Sequence, residues 1–320
     1  MKAPGFWYSG GPTSLALAPL GGLWAAGASL RGAFHAPAHA PVPVVCIGNI
    51  VVGGAGKTPV AMSLAHRLPG AQFLSRGYGG NEIGPILVDP DRDDHRQVGD
   101  EPLLLARIAR CWVARDRAAG AQAAALEGAS CVIMDDGYQD PGLAKDISLL
   151  VVDGHVGFGN GRCIPAGPLR EPVERGLSRA QAIVLLGEDR VGVTRQFGGV
   201  PVLRGMLEPE TEAQALHGQR VVAFAGIGRP AKFFHTLEKL GATLVETRSF
   251  PDHHPYTPVE IGHLVDAAEL HAAALMTTTK DYVRVPAHQR EHITVLRVAV
   301  TWEDEAALMR VLAPILKAAR

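Results

Sequence analysis

At 320 residues, 47% of them hydrophobic and 20% charged, the chain is long enough for one large or two medium α/β domains, each with its own core. A formal net charge of −1 excludes a nucleic-acid binder held by bulk charge, so any basic surface is local. The four cysteines, Cys46, Cys111, Cys131 and Cys163, form no C-x-x-C pair and mostly lie in or beside apolar runs, the usage of buried cytosolic thiols rather than a disulfide frame or a zinc site.

The first predicted element, residues 14–30 (SLALAPLGGLWAAGASL), carries no charge but is interrupted by Pro19, Gly21, Gly22 and Gly27. It is short and broken for a transmembrane helix. Lys2 ahead of an apolar stretch is also the pattern of a secretory signal, yet the glycine turn ending in Gly56-Lys57-Thr58 directly downstream has the composition of a nucleotide site, which would find no ATP outside the cytosol. Two readings stay open: an interfacial helix touching a membrane or an apolar substrate, and a helix packed on its own domain. Arg31, His35 and His39 add only a thin basic flank.

Residues 42–58, around PVVCIGNIVVGGAGKTP, are predicted as a buried strand (42–47), a glycine turn and a helix (58–68). The turn Gly53-Gly54-Ala55-Gly56 would let backbone N–H groups converge on an anion at a helix N-terminus. Lys57 would then reach the β- and γ-phosphates of ATP, with the Thr58 hydroxyl on Mg²⁺. This is a variant P-loop, because Val51 stands where the strict G-x-x-x-x-G-K-[ST] pattern has glycine.

A second strand, 72–74, runs into Ser75-Arg76-Gly77-Tyr78-Gly79-Gly80. A parallel sheet would put that turn on the P-loop edge, so Arg76 and Tyr78 are either ligand contacts or part of a plain surface turn. After a short strand at 86–88, a helix opens at Val98-Gly99-Asp100-Glu101-Pro102 and runs through 110. Asp100 is either its cap or, if this turn faces the phosphates, a carboxylate able to take the proton of an attacking hydroxyl. Strands 111–114 and 130–134 flank an Ala-rich helix, 116–127, and the second of them ends in Asp135-Asp136-Gly137. That is the Walker B arrangement, which would set one carboxylate across from Thr58 to hold Mg²⁺ while its neighbour orients water or substrate.

Strand 147–153 leads into a loop rich in glycine and proline, in which Arg170 either meets a phosphate or pairs with Glu171 or Glu174. Strands follow at 182–186 and 200–206, with turn-rich residues 187–199 between them as a candidate linker. From 220 the pattern restarts: strand 221–225, helix 231–240, strand 244–247, helix 258–270, strands 273–277 and 293–300, and a closing amphipathic helix, 304–319. Asp252-His253-His254 is a structural turn, a metal ligand set lacking a further donor, or a histidine that meets the first domain's acidic turn across a cleft. The fold expected is α/β: a P-loop NTPase-type parallel sheet with helices on both faces in 42–199. Linking strands occupy 200–219, a smaller α/β domain in 220–320 closes over the site, and an apolar segment, 1–41, contacts lipid.

Taken in order, GNIVVGGAGKTP, LSRGYGG, VGDEP, DDGYQ, GFGNG with PAGPLREP, AGIGRP with a Phe-Phe pair, FPDHH and TTTKDYVR resemble the tetraacyldisaccharide 4′-kinases of lipid A biosynthesis. The resemblance runs from the apolar N-terminus to near residue 284. It implies transfer of the ATP γ-phosphoryl group to the 4′-hydroxyl of a tetraacylated glucosamine disaccharide 1-phosphate. The enzyme would be a monomer lying peripherally at the cytoplasmic face of the inner membrane, with an acylated lipid as partner and no nucleic acid. The resemblance further implies Lys57 and Thr58 at the nucleotide, Asp135 and Asp136 near Mg²⁺, Asp100 as base supported by His253, and Tyr78, Arg170 and Glu171 in nucleotide or substrate contact. One departure is Asp140, where the family pattern D-D-G-x-Q-H has histidine. The flank is also less basic than docking on anionic lipid would suggest.

Two rivals share the core. A nucleotide-switch ATPase or GTPase acting on a protein partner needs a signature lysine early in the P-loop, where this chain has Val52, or an N-K-x-D motif, which is absent. An ATP-dependent ligase for a small acid needs no apolar N-terminal helix. Neither accounts for PAGPLREP.

Overall fold

The computed structural model describes residues 3–33, 36–210 and 216–318; of the expected basic flank, His35 and the Arg31 side chain lie outside the described residues. The strands are β1 (Val44–Gly48), β2 (Ala71–Ser75), β3 (Ile86–Leu87), β4 (Cys111–Val113), β5 (Cys131–Asp135), β6 (Ile147–Asp153), β7 (Ala182–Leu186) and β8 (Val202–Pro209). They continue with β9 (Arg220–Ala225), β10 (Thr243–Ser249), β11 (Ala274–Thr278), β12 (Ile293–Leu296) and β13 (Val298–Trp302). The helices are α1 (Phe6–Ser9), α2 (Pro12–Ala33), α3 (Lys57–Ala65), α4 (His95–Val98), α5 (Asp100–Ala106) and α6 (Arg117–Leu126). After them come α7 (Val173–Leu177), α8 (Pro230–Lys239), α9 (Pro258–Leu270), α10 (Thr279–Tyr282) and α11 (Glu305–Ala318).

As expected, the architecture is α/β with a large, mainly parallel sheet. Nine strands run in the order β13-β8-β7-β6-β1-β5-β2-β4-β3, and only the pairs at its two edges, β13–β8 and β3–β4, are antiparallel. The central strands are buried along their whole length because both faces are covered, which is why they read as continuous apolar runs. Alternate side chains serve opposite faces. Val45, Ile47, Phe73 and Ile133 pack with α3, α5 and α11, whereas Val44, Cys46, Leu74 and Val132 pack with α6 and the loop that follows β6. All four cysteines are free and buried, so they serve as small core side chains.

The second sheet is wholly parallel, in the order β10-β9-β11-β12. Phe233 and Leu237 of α8 cover one face, and Ile261 and Leu264 of α9 cover the other.

Three features depart from the sequence expectations. First, α2 is one helix through Pro19 and its glycines, and it is long and apolar enough to cross a membrane by length and composition. One side of it lies along the loop after β6: the buried Ser14 Oγ donates to Ala166 O (2.7 Å) and Trp24 Nε1 to Arg170 O (2.9 Å). Gly21 allows this approach, since a Cβ there would sit 2.8 Å from Cys163 O. Leu15, Leu20, Leu23 and Leu30 stay exposed on the same helix. The packed-helix reading therefore holds for one side, while the other side leaves its leucines exposed.

Second, β8 is a full strand of the large sheet, beside β7, and not part of a linker; residues 211–215 of that expected linker lie outside the described residues. Third, the run expected as one strand over 293–300 divides at Arg297. β12 stays in the small sheet while β13 returns to pair with β8, and α11 then lays Leu308, Leu312 and Ile315 on the large sheet's core. The boundary drawn at 220–320 is corrected accordingly, because residues 298–318 belong with the first sheet. Tertiary contacts select this return: Trp302 Nε1 donates to Ser63 Oγ (2.9 Å) and Glu305 takes a two-pronged bond from Arg67. Replacing the fully buried Leu312 by alanine is expected to cost about 2–5 kcal/mol in chemical denaturation, measured on the unit that carries the glycine turn.

Candidate active site

Gly56 begins α3 in the left-handed conformation (φ 85°), and a Cβ there would strike Leu186 Cδ1 at 2.4 Å, so both backbone and space demand glycine. Ahead of it, Asn49 braces the turn: its Nδ2 donates to Val51 O (2.7 Å) and its Oδ1 accepts from Lys57 Nζ (3.4 Å). The loop after β6 supports the other side, with Val52 N donating to Pro168 O (2.8 Å) and Arg170 N to Ile50 O (2.7 Å).

β5 lies directly against β1, which sets Asp135 beside the turn. Thr58 Oγ1 donates to Asp135 Oδ2 (3.1 Å), and Lys57 Nζ is 3.6 Å from Asp136 Oδ1. Burial pushes the Asp135 carboxyl up to about 6, against the pull of Lys57. Its Oδ1 is buried with no hydrogen-bond partner among the described residues. A cation from outside the chain fits that donor set. Among the described residues no three His, Cys, Asp or Glu side chains are grouped to hold a metal by themselves. That pattern suits Mg²⁺, which uses one or two carboxylates plus phosphate oxygens and water.

Asp136 turns the other way, at φ 53°, and accepts from Arg170 Nη1 (3.1 Å) as well as facing Lys57. Arg170 thus pairs with neither Glu171 nor Glu174. Glu171 is buried and committed to Arg179 Nη2 (2.7 Å) and Gln139 Nε2 (2.9 Å), and Gln139 also holds Asn49 O (2.9 Å). Asp140 closes a local turn, its Oδ1 accepting from Gly142 N (2.8 Å).

A second cluster joins the two sheets. Asp100 is the first residue of α5 yet does not cap it; Gly99 occupies the cap position. Instead the buried Asp100 Oδ2 accepts from His253 Nδ1 (2.8 Å) and lies 3.2 Å from Arg284 Nε. His253 and His254 diverge as neighbours in a strand-end turn should, with His254 Nε2 on Glu260 Oε1 (3.0 Å). The exposed Tyr78 ring meets the His253 ring edge-on, centroids 6.1 Å apart. Lys280 Nζ donates to Glu101 Oε1 (2.7 Å), and both of these groups act electrostatically on Asp135. The two clusters therefore share one electrostatic neighbourhood.

Sequence reasoning named Lys57, Thr58, Asp135 and Asp136, which the fold gathers, and Asp100 and His253, which it joins. It missed Asn49, Gln139, Arg284 and the ion pair of Asp153 with Arg229 that also spans the sheets. Asn49 and Gln139 sit inside motifs already noted, and only their contacts reveal their work.

A family model described as Tetraacyldisaccharide-1-P 4'-kinase matches residues 13–317. The chain is 55% identical to the "Tetraacyldisaccharide 4'-kinase" of Rhodospirillum centenum, with 99% of this chain and 97% of that protein covered. Its identity to the protein of the same name from Paramagnetospirillum magneticum is 52%, over 96% and 97%. Among solved structures it is similar to the "apo" form LpxK from Aquifex aeolicus in complex with ATP, with TM-score 0.78 and 29% identity, covering 95% of this chain and 99% of that one.

The hydrogen bond to Asp100, outweighing the effect of burial, holds the His253 pKa above its ordinary value. A raised folded-state pKa means that this pairing stabilises fully below the unfolded histidine pKa and fades as pH rises through His253's own. Asp100→Asn should bring the His253 titration, followed by NMR of the labelled imidazole, down toward the ordinary histidine value. An unmoved titration would detach the two residues.

Proposed function

The chain belongs to the tetraacyldisaccharide-1-P 4′-kinase family, and on that premise we propose how its residues carry the reaction. The enzyme is an ATP-dependent kinase of lipid A biosynthesis that transfers the γ-phosphate to the 4′-hydroxyl of tetraacyldisaccharide 1-phosphate. The switch-protein alternative is not favoured, since neither the family match nor the ATP-bound structural neighbour calls for it.

The observation that carries the residue assignment is a pair of clusters, Thr58 and Lys57 against Asp135 and Asp136, and Asp100 against His253, linked by the charges of Glu101 and Lys280 that act on Asp135. The turn of Gly53, Gly54, Ala55 and Gly56 cradles the phosphates, with Lys57 beside the β- and γ-groups. Thr58 and Asp135 would hold Mg²⁺, with Asp136 turned to Lys57 and Arg170. When bound, that ion would offset negative charge on the phosphates. Asp100 takes the proton of the 4′-hydroxyl as its oxygen bonds to the γ-phosphorus and the bond to the ADP oxygen breaks. His253, bonded to Asp100 Oδ2, keeps the Asp100 carboxylate aimed. Arg170 and Tyr78 border the space between the clusters, and Glu171 positions Gln139 and thereby the turn.

Every group in this scheme comes from one chain, so a monomer suffices. The exposed leucines of α2 rest on the cytoplasmic face of the inner membrane, where both ATP and the acylated disaccharide are in reach.

Incubation of purified protein with labelled ATP and the disaccharide lipid should put label on the lipid. Lys57→Ala and Asp100→Ala should each cost ~10²-fold or more in turnover while folding normally; near-normal turnover of Asp100→Ala removes it as base. Replacing Leu15, Leu20 and Leu23 together by serine should weaken vesicle binding and raise the lipid KM, with ATP affinity unchanged. Unaltered vesicle binding would place the membrane contact elsewhere.

A further inference from the structure

Asp100 has two oxygens, and their surroundings differ. Oδ2 takes the His253 bond and lies 3.2 Å from Arg284 Nε, while no side-chain hydrogen bond among the described residues reaches Oδ1. Arg284 is almost completely buried, with 1% of its side chain exposed, and it cannot swing. Its Nε donates to Lys280 O (3.1 Å), Nη1 to His254 O (3.1 Å), and Nη2 to Gly226 O (3.1 Å) and Asp281 Oδ1 (2.8 Å). Asp281 is fixed in turn by Tyr256 Oη (2.7 Å), Gly226 N (2.7 Å) and Thr278 Oγ1 (2.6 Å). This is a rigid cation delivered by the second sheet's loops to one oxygen of a carboxylate on the first.

We infer that Arg284 is a positioning residue for the base. His253 bonds Asp100 Oδ2 and the Arg284 guanidinium lies against the same oxygen, which leaves Oδ1 as the oxygen that receives the 4′-hydroxyl proton. The inference rests on the assignment of Asp100 made above and deepens it. A fixed guanidinium also acts on the carboxylate through its charge, which an arginine serving the fold alone would not. The other charged or titratable groups facing Asp100 are His253, Glu101 with its partner Lys280, and His95 of α4.

The test is the pH profile of phosphoryl transfer by the full-length enzyme with Mg·ATP and disaccharide lipid. Arg284→Gln should lower kcat about tenfold, leave both KM values within about twofold, and move the acid limb of the kcat profile up by about one pH unit. Arg284→Lys, which keeps a cation, should bring the limb at least partway back. An acid limb unmoved in Arg284→Gln would overturn the inference, because the arginine would then serve the fold alone. Should the variants fail to fold, a structure of the wild-type enzyme with the lipid decides: the 4′-oxygen on Oδ1 supports the inference, and the 4′-oxygen on Oδ2, or away from Asp100, overturns it. Absence of label transfer by the wild-type protein would instead strike the functional reading itself.

Discussion

A carboxylate buried at the end of β5, beside the glycine turn of β1, is the constraint from which the rest of the site follows. Ionising Asp135 there is costly unless positive or hydrogen-bonding groups surround it. The chain supplies Thr58 within hydrogen-bond distance and Lys57 nearby, but leaves one oxygen without a partner. That oxygen is the donor the proposed cation would take. The adjacent Asp136 can avoid competing for the same space only by leaving the strand direction, and its positive φ is the backbone's response. That reversal is what brings it to Lys57 and Arg170.

The loop after β6 links this centre to the N-terminal helix. Pro168 O and Arg170 N bond to the P-loop backbone, while Ala166 O and Arg170 O receive Ser14 and Trp24 of α2. One extended segment is therefore held between α2 and the glycine turn. Arg170 joins them most directly, because its carbonyl holds the helix and its guanidinium holds Asp136. Exposed ion pairs such as Arg190 with Glu188 contribute at most about 1 kcal/mol. The bonds of this segment matter through their placement: they set where three backbone strands run relative to one another.

Much of the large sheet was legible because its central strands are buried on both faces and so announce themselves as apolar runs. The glycine turn was legible for a related reason, as its backbone conformation and close packing admit little else at Gly56. Legibility failed where long-range contacts decide. Nothing local marks Arg297 as the point where one apolar run divides between two sheets; Ser63, Arg67 and the β8 edge do that from far away in the chain. Pro19 and three glycines counted as helix breakers, yet α2 persists because the loop beneath it accepts its hydrogen bonds and the close approach of Gly21. Arg284 stood in a recognisable motif, but its link to Asp100 crosses between sheets and has no sequence spacing to betray it.

The route of the chain explains why the second sheet can serve the first. The chain leaves the large sheet at the end of β8 and returns in β13, and these two strands pair antiparallel, Val298 with Pro209 and Trp302 with Gly205. Both crossings thus depart from neighbouring points on one edge, so the small unit is tied at a single place while its far loops reach the carboxyl ends of the large sheet's strands. His253, Lys280, Arg284 and Arg229 are the side chains those loops deliver, to Asp100, Glu101 and Asp153. Each contact sets a cation, or in His253 a group that becomes one on protonation, against a carboxylate of the large sheet's unit. Displacing the small unit would strip Asp100 of both its partners at once, whereas seating it restores them together. Asp100, the proposed base, and the glycine turn belong to the large sheet's unit, whereas the partners of Asp100 do not, and that division would tie the proposed chemistry to the docking of the two units.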